Sequence, residues 1–219
     1  AKGSGMIHPN MATLLAFVMT DADVSQELLR EMWPRVIDRT FNQVSVDGDT
    51  STNDMAIVLS SQRVPADAAE LEAALEEVCG KLARKVARDG EGATKLITVR
   101  VTGGRNDAEA RAAARAVAGS MLVKAAVHGA DPNWGRVAMA VGKCSDDTDI
   151  DQDRVVIRFG ATEVYPRRVD DAGLAALSDY MRSDDVLIHV SLGTGAAAAT
   201  VWGCDLTDGY VRINADYTT

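Results

Sequence analysis

An apolar run opening at Thr13 predicts a strand over residues 13–21. It is apolar at successive positions, which places it inside a layered fold with both faces covered. Ser25 predicts the cap of a short helix, and Pro34 the start or kink of a second one over 35–41. A polar loop at 45–54, dense in Asp, Thr and Ser, precedes a strand at 55–60. The helix at 67–89 has the clearest pattern. Asp67 and Glu70 resemble a capping box, Leu71, Leu75, Val78, Leu82 and Val86 form a helical stripe, and Gly90 ends it. A strand follows at 95–102. Asn106 and Glu109 then predict the cap of an Ala-rich helix running to about Ala118, whose small side chains suit close packing. Residues 121–127 read as a strand, 129–136 as a tight loop and 137–141 as a helix. A short strand pair is expected at 155–159 and 162–165, a helix at 170–182, and strands at 186–192, 196–204 and 210–213. The alternation predicts a layered α/β fold with several strands in succession near the C-terminal end.

Composition narrows the function classes. With 47% apolar residues in 219, the chain can bury a large core as one domain or two small ones. Its formal net charge of −9 argues against nucleic acid and anionic membrane as partners, since both require basic patches. No apolar run approaches the roughly 20 residues of a membrane span. The chain does not begin with Met, so a piece of a longer polypeptide is expected. Cys79, Cys144 and Cys204 form no CxxC pair and suggest buried thiols in a reducing, cytoplasmic setting. His8, His128 and His189 are scattered without metal spacing, so no metal site and no cofactor are expected.

The candidate chemistry centres on Thr13. The lead-in before it carries Gly3, Gly5 and Pro9, and Ala12 adds little bulk around the carbonyl that a Thr13 hydroxyl would attack. An N→O acyl shift at Ala12–Thr13, followed by hydrolysis, would free the Thr13 amine. With a reference pKa of ~7.7–8, that amine suits a general base beside its own hydroxyl. Taken alone, the same threonine reads as an ordinary β-branched residue at a strand edge, and it is the surrounding glycines and Ala12 that shift the reading. Lys2 is either a solvated lysine or an ammonium for a substrate carboxylate. Residues 89–95 lack the GxxxxGK[ST] spacing of a phosphate loop, and Glu91 would repel phosphate. Glu91 between glycine-bearing turns suits a cationic amine, or is a solvent-facing residue of a helix C-cap. The 45–54 loop lacks EF-hand spacing, and helix capping and turn chemistry explain its Asp and Thr residues better. His8 reads as positional, and the 129–136 loop as packing Trp134 and satisfying polar groups around Arg136. The C-terminal 212–219 segment reads as a frayed tail which, if tied down, brings Asn214 and Thr219 to a site.

Taken in order, five segments resemble the ornithine acetyltransferases (glutamate N-acetyltransferases). They are Lys2-Gly3-Ser4-Gly5-Met6-Ile7-His8-Pro9-Asn10-Met11-Ala12-Thr13, Val46-Asp47-Gly48-Asp49-Thr50-Ser51-Thr52-Asn53-Asp54, Gly90-Glu91-Gly92-Ala93-Thr94-Lys95, Asp131-Pro132-Asn133-Trp134-Gly135-Arg136 and Arg212-Ile213-Asn214-Ala215-Asp216-Tyr217. The resemblance implies an α/β layered αββα-type sandwich of the ornithine acetyltransferase and DmpA-like kind. It implies autocatalytic cleavage at Ala12–Thr13, with residues 1–12 ending an upstream α segment and residues 13–219 forming the C-terminal β subunit. Thr13 would carry an acetyl group from N2-acetyl-L-ornithine to L-glutamate, with Lys2, Thr13, Glu91, Asn214 and Thr219 touching substrate. The upstream segment would supply the oxyanion hole, in an α2β2 or larger assembly. The alternatives of different class are an N-terminal-nucleophile amidohydrolase or aminopeptidase, and a non-catalytic binding subunit.

Overall fold

The computed structural model describes residues 1–8, 14–144 and 150–216. Ala12, Thr13 and Thr219 lie outside the described residues. The chain divides into two compact units, Ala1–Gly90 and Glu91–Thr219.

In the first unit, β1 (Leu15–Asp23) pairs in parallel with β3 (Met55–Pro65), with Leu15 opposite Met55, Phe17 opposite Ile57 and Met19 opposite Leu59. Burial alternates along β1. Ala16 and Val18 are buried, whereas Leu15, Phe17 and Met19 are exposed, Met19 at 79%. The expectation of a strand covered on both faces is therefore corrected: among the described residues one apolar face of this pair is open. Ser25 caps α1 (Gln26–Arg39) by accepting the Leu28 N–H. The helix runs through Pro34 instead of breaking there. A short β2 (Val44–Ser45) precedes β3.

Asp67 caps α2 (Ala68–Arg88) through the N–H groups of Ala69 and Glu70. The buried stripe of α2 is Leu71, Leu75, Cys79, Ala83 and Val86. Val78 is exposed, because the helix turns Cys79 and Ala83 inward where the pattern favoured Val78 and Leu82. Arg35 of α1 grips Glu72 of α2 with both terminal oxygens engaged, at 3.0 and 2.6 Å, and the Trp33 indole donates to the Ala56 carbonyl of β3.

The second unit holds a mixed sheet in the order β8–β4–β7–β5–β6. Its strands are β4 (Leu96–Gly104), β5 (Val156–Phe159), β6 (Thr162–Tyr165), β7 (Asp185–Ser191) and β8 (Ala197–Cys204). β4 runs parallel to β7 and antiparallel to β8, and β5 is antiparallel to both of its neighbours. The Ala-rich α3 (Asp107–Ala118) packs on β4 and β8 with Ala110, Ala113, Ala114 and Val117 fully buried. The approach is close enough that a Cβ on Gly104 would meet the Ala110 Cβ at 3.0 Å.

Two predicted strands are helices. Residues 121–127 belong to α4 (Met121–His128), with the Ser120 hydroxyl on the Val123 N–H, and 210–213 belong to α7 (Asp208–Asp216). A short apolar run has no period long enough to separate strand from helix, and the caps decide it. Between them, α5 (Trp134–Gly142) starts inside the predicted 129–136 loop, capped by Asn133, and α6 (Asp171–Met181) is capped by Asp170. The fold is α/β, with helices flanking the sheets, as expected. Among the described residues no helix is long and apolar enough to cross a membrane.

Candidate active site

In the first unit the lead-in is fastened to the strand that follows Thr13. Lys2 forms a two-way antiparallel bridge with Leu15, its N–H donating to the Leu15 carbonyl at 2.8 Å and its carbonyl accepting from the Leu15 N–H at 2.9 Å. The 45–54 loop holds the same stretch from the other side. Asp47 accepts the Met6 N–H at 2.6 Å and the Ile7 N–H at 3.0 Å. The Val46 N–H donates to the Ile7 carbonyl, and His8 Nδ1 is 3.0 Å from the Ser45 hydroxyl. Asp54 accepts the Leu14 N–H at 2.7 Å, and Met55 returns an N–H to the Leu14 carbonyl. Burial pushes the Asp54 carboxyl up, partly offset by the Leu14 N–H.

Asp47 and Asp54 of this loop thus do more than the expected turn chemistry: they bind backbone on both sides of Pro9–Thr13. Sequence reasoning missed that role. A signal existed in two carboxylates bracketing a polar loop immediately before a strand, with no metal spacing to occupy them. Lys2 also lines a cleft of about 540 Å³ with Leu82, Lys85, Val86, Arg88 and Asp89, in which three cations stand with one carboxylate.

In the second unit the structure brings Glu91 and Asn214 together. The Asn214 amide donates to Glu91 Oε2 at 2.9 Å and to the Tyr210 carbonyl at 3.0 Å. The tail reading of this segment is corrected, because Asn214 stands on α7. The turn bearing Glu91 is held by Asp205, whose side chain is fully buried. Asp205 Oδ1 accepts the Thr94 and Lys95 N–H groups, both at 2.8 Å. Its Oδ2 accepts the Thr94 hydroxyl at 2.6 Å and lies 3.0 Å from His128 Nδ1. Burial alone would raise this carboxyl, but the bonds from Thr94, Lys95 and His128 outweigh it and hold it below the usual aspartate range. Lys95 is buried with its ammonium on the Val127 and His128 carbonyls, and burial lowers its pKa.

Neither Asp205 nor Thr207 was identified from sequence, although Thr207 before Asp208 and Gly209 is a helix-start signal. The side chains of the 129–136 segment behave as expected, although its last three residues are helical. Trp134 stacks on Tyr165 with ring centroids 5.0 Å apart, and Arg136 reaches the Leu122 carbonyl.

The structure therefore places Lys2 beside the strand that follows Thr13, and separately pairs Glu91 with Asn214. A half-exposed carboxylate fixed by an amide can receive an ammonium, and a lysine ammonium can receive a carboxylate.

Comparison with known proteins adds a second line of observation. The ArgJ family model matches residues 1–219. The chain is 54% identical over 225 residues to glutamate N-acetyltransferase Oat2 of Streptomyces clavuligerus, covering all of this chain and 57% of that protein. It is likewise 54% identical over 222 residues to arginine biosynthesis bifunctional protein ArgJ 2 of a Nostoc species, again covering 57% of the relative. The chain thus spans little more than half the length of the curated relatives it matches. The crystal structure of arginine biosynthesis bifunctional protein ArgJ from Bacillus halodurans superposes with a TM-score of 0.87 at 40% identity, covering 94% of this chain and all of that one.

Proposed function

The chain belongs to the ArgJ family, and from that premise we propose that it is the acetyl-carrying part of a glutamate N-acetyltransferase, moving acetyl from N2-acetyl-L-ornithine to L-glutamate. The observation that carries this reading is the likeness at 54% identity, along the whole chain, to a relative named glutamate N-acetyltransferase. That likeness favours transfer over the amidohydrolase alternative.

In the proposed reaction the precursor first cleaves itself at Ala12–Thr13, leaving residues 13–219 as a separate subunit. The Thr13 hydroxyl then attacks the acetyl carbonyl of N-acetylornithine while the Thr13 amine takes its proton. The tetrahedral oxyanion is stabilised by an upstream segment of the same precursor. The C–N bond breaks, the proton passes to the departing ornithine amine, and acetyl stays on Thr13. Glutamate's amine attacks this ester, returning the hydroxyl and leaving as N-acetylglutamate.

Lys2 receives an α-carboxylate, Glu91 with Asn214 receives the side-chain ammonium of ornithine, and Thr219 completes the contacts. The Lys2–Leu15 bridge supports this reading, since it keeps Lys2 beside the Thr13 strand without the covalent link. The open apolar row of Leu15, Phe17, Met19 and Leu59 supports packing by the upstream segment, in an α2β2 or larger assembly.

The test is mass spectrometry of the full protein after mixing with N-acetylornithine. A 13–219 species bearing one acetyl group on Thr13, discharged by glutamate, is expected. Absence of the adduct, or ornithine release indifferent to glutamate, would overturn the proposal.

A further inference from the structure

α7 carries Asn214 yet buries none of its nine residues, so apolar packing does not decide where Asn214 stands. Its first turn does. The Thr207 hydroxyl sits at the N-cap position, accepts the Tyr210 N–H at 3.3 Å and donates to the Gly92 carbonyl at 2.7 Å. Gly92 adopts φ +66°, and a Cβ there would lie 2.4 Å from the Tyr210 nitrogen and 2.6 Å from the Gly209 carbonyl carbon. Only glycine lets the two backbones approach this closely.

Gly92 directly follows Glu91, and Asp205 clamps Thr94 and Lys95 on the other side of the same turn. One joint therefore sets both members of the Glu91–Asn214 pair. We propose that Thr207, seated on Gly92, is a specificity-setting positioning residue. It holds Glu91 and Asn214 at the spacing that receives the side-chain ammonium of the N-acetylated diamino-acid donor. This rests on the reading of Glu91 and Asn214 as substrate contacts.

The consequence is asymmetric. The donor presents a cation to Glu91, whereas the acceptor, glutamate, ends in a carboxylate that gains nothing from it. A misplaced Glu91–Asn214 pair weakens donor binding and spares the acceptor. A merely structural defect would instead lower the active fraction for both substrates.

The test uses the full-length precursor carrying Thr207→Val, Thr207→Ser, Asn214→Ala and the Thr207→Val/Asn214→Ala pair, with Glu91→Gln as a reference. KM is measured for both substrates, and folding is checked by circular dichroism. Thr207→Val is expected to raise the donor KM about tenfold, with acceptor KM and kcat within about threefold. Thr207→Ser restores the donor KM, and in the Asn214→Ala background Thr207→Val raises it by clearly less than tenfold, since only Glu91 is left to misplace. Should Thr207→Val not fold, Thr207→Ala carries the same comparison. A folded variant with unchanged donor KM, equal rises for both substrates, or effects that add in the double variant would overturn the proposal. If Asn214→Ala and Glu91→Gln themselves leave the donor KM unchanged, the premise fails, and the proposal fails with it.

Discussion

Asp54 accepts the backbone N–H of Leu14, the residue after Thr13, at 2.7 Å. With Asp47 on Met6 and Ile7, it pins the chain on both sides of the proposed cleavage bond. Self-cleavage requires the hydroxyl and the carbonyl it attacks to be held in register, so loss of this anchor should slow it. Asp54→Ala is expected to slow conversion of precursor to the two fragments by about ten- to hundredfold, the range of a lost hydrogen bond to a charged acceptor. Asp54→Asn keeps an acceptor oxygen and should retain most of the rate. A gel time course reads this, and a folded Asp54→Ala protein cleaving at the parental rate would refute it.

Gly92 and Gly48 share a positive φ but not their surroundings. Gly92 is at φ +66° against Tyr210 and Gly209, while Gly48 is at φ +87° with open space for 4 Å around the position a Cβ would take. Gly48→Ala should therefore cost only backbone strain, about 1 kcal/mol, whereas Gly92→Ala adds a backbone clash and should cost about 3 kcal/mol. Chemical denaturation of both variants checks the ranking, which equal losses would contradict.

Asp205 links stability to pH. Its carboxyl is held below the ordinary 3.8, so its contribution is fully present above that value and is lost as pH falls further towards the depressed folded-state value. Asp205→Asn removes the charge and turns an amide N–H towards donors, and at neutral pH it should cost about 3 kcal/mol. The acid limb of a thermal-unfolding series below pH 4 should be shallower in this variant. An unchanged limb would mean that other carboxylates set it.

Cys79 is buried on α2, and burial pushes its thiol up to about 11. Almost no thiolate is then present at pH 8, so alkylation of Cys79 should await unfolding. Iodoacetamide labelling followed by peptide mass spectrometry, with and without denaturant, measures this. Rapid labelling of Cys79 in the native protein would contradict it.

The sequence by itself determined what is local. Ser25, Asp67 and Asn106 announce their helices because a cap binds N–H groups two or three residues away. The β5–β6 pair and β7 follow the expected ranges closely, because the apolar runs that mark them are also local. Glu91 and Asn214 were legible as candidate chemistry through the family resemblance. Their meeting was not, since they are 123 positions apart and nothing in either neighbourhood encodes the other. Tertiary structure decided three features: Thr207 seated on Gly92 set α7 against the Glu91 turn, the α2 stripe rotated towards Cys79 and Ala83, and the 45–54 loop became the clamp on the chain around Thr13. The first and third depend on donors and acceptors distant in sequence, whose pairing is settled only in the folded chain, and the second on which apolar face finds a packing partner.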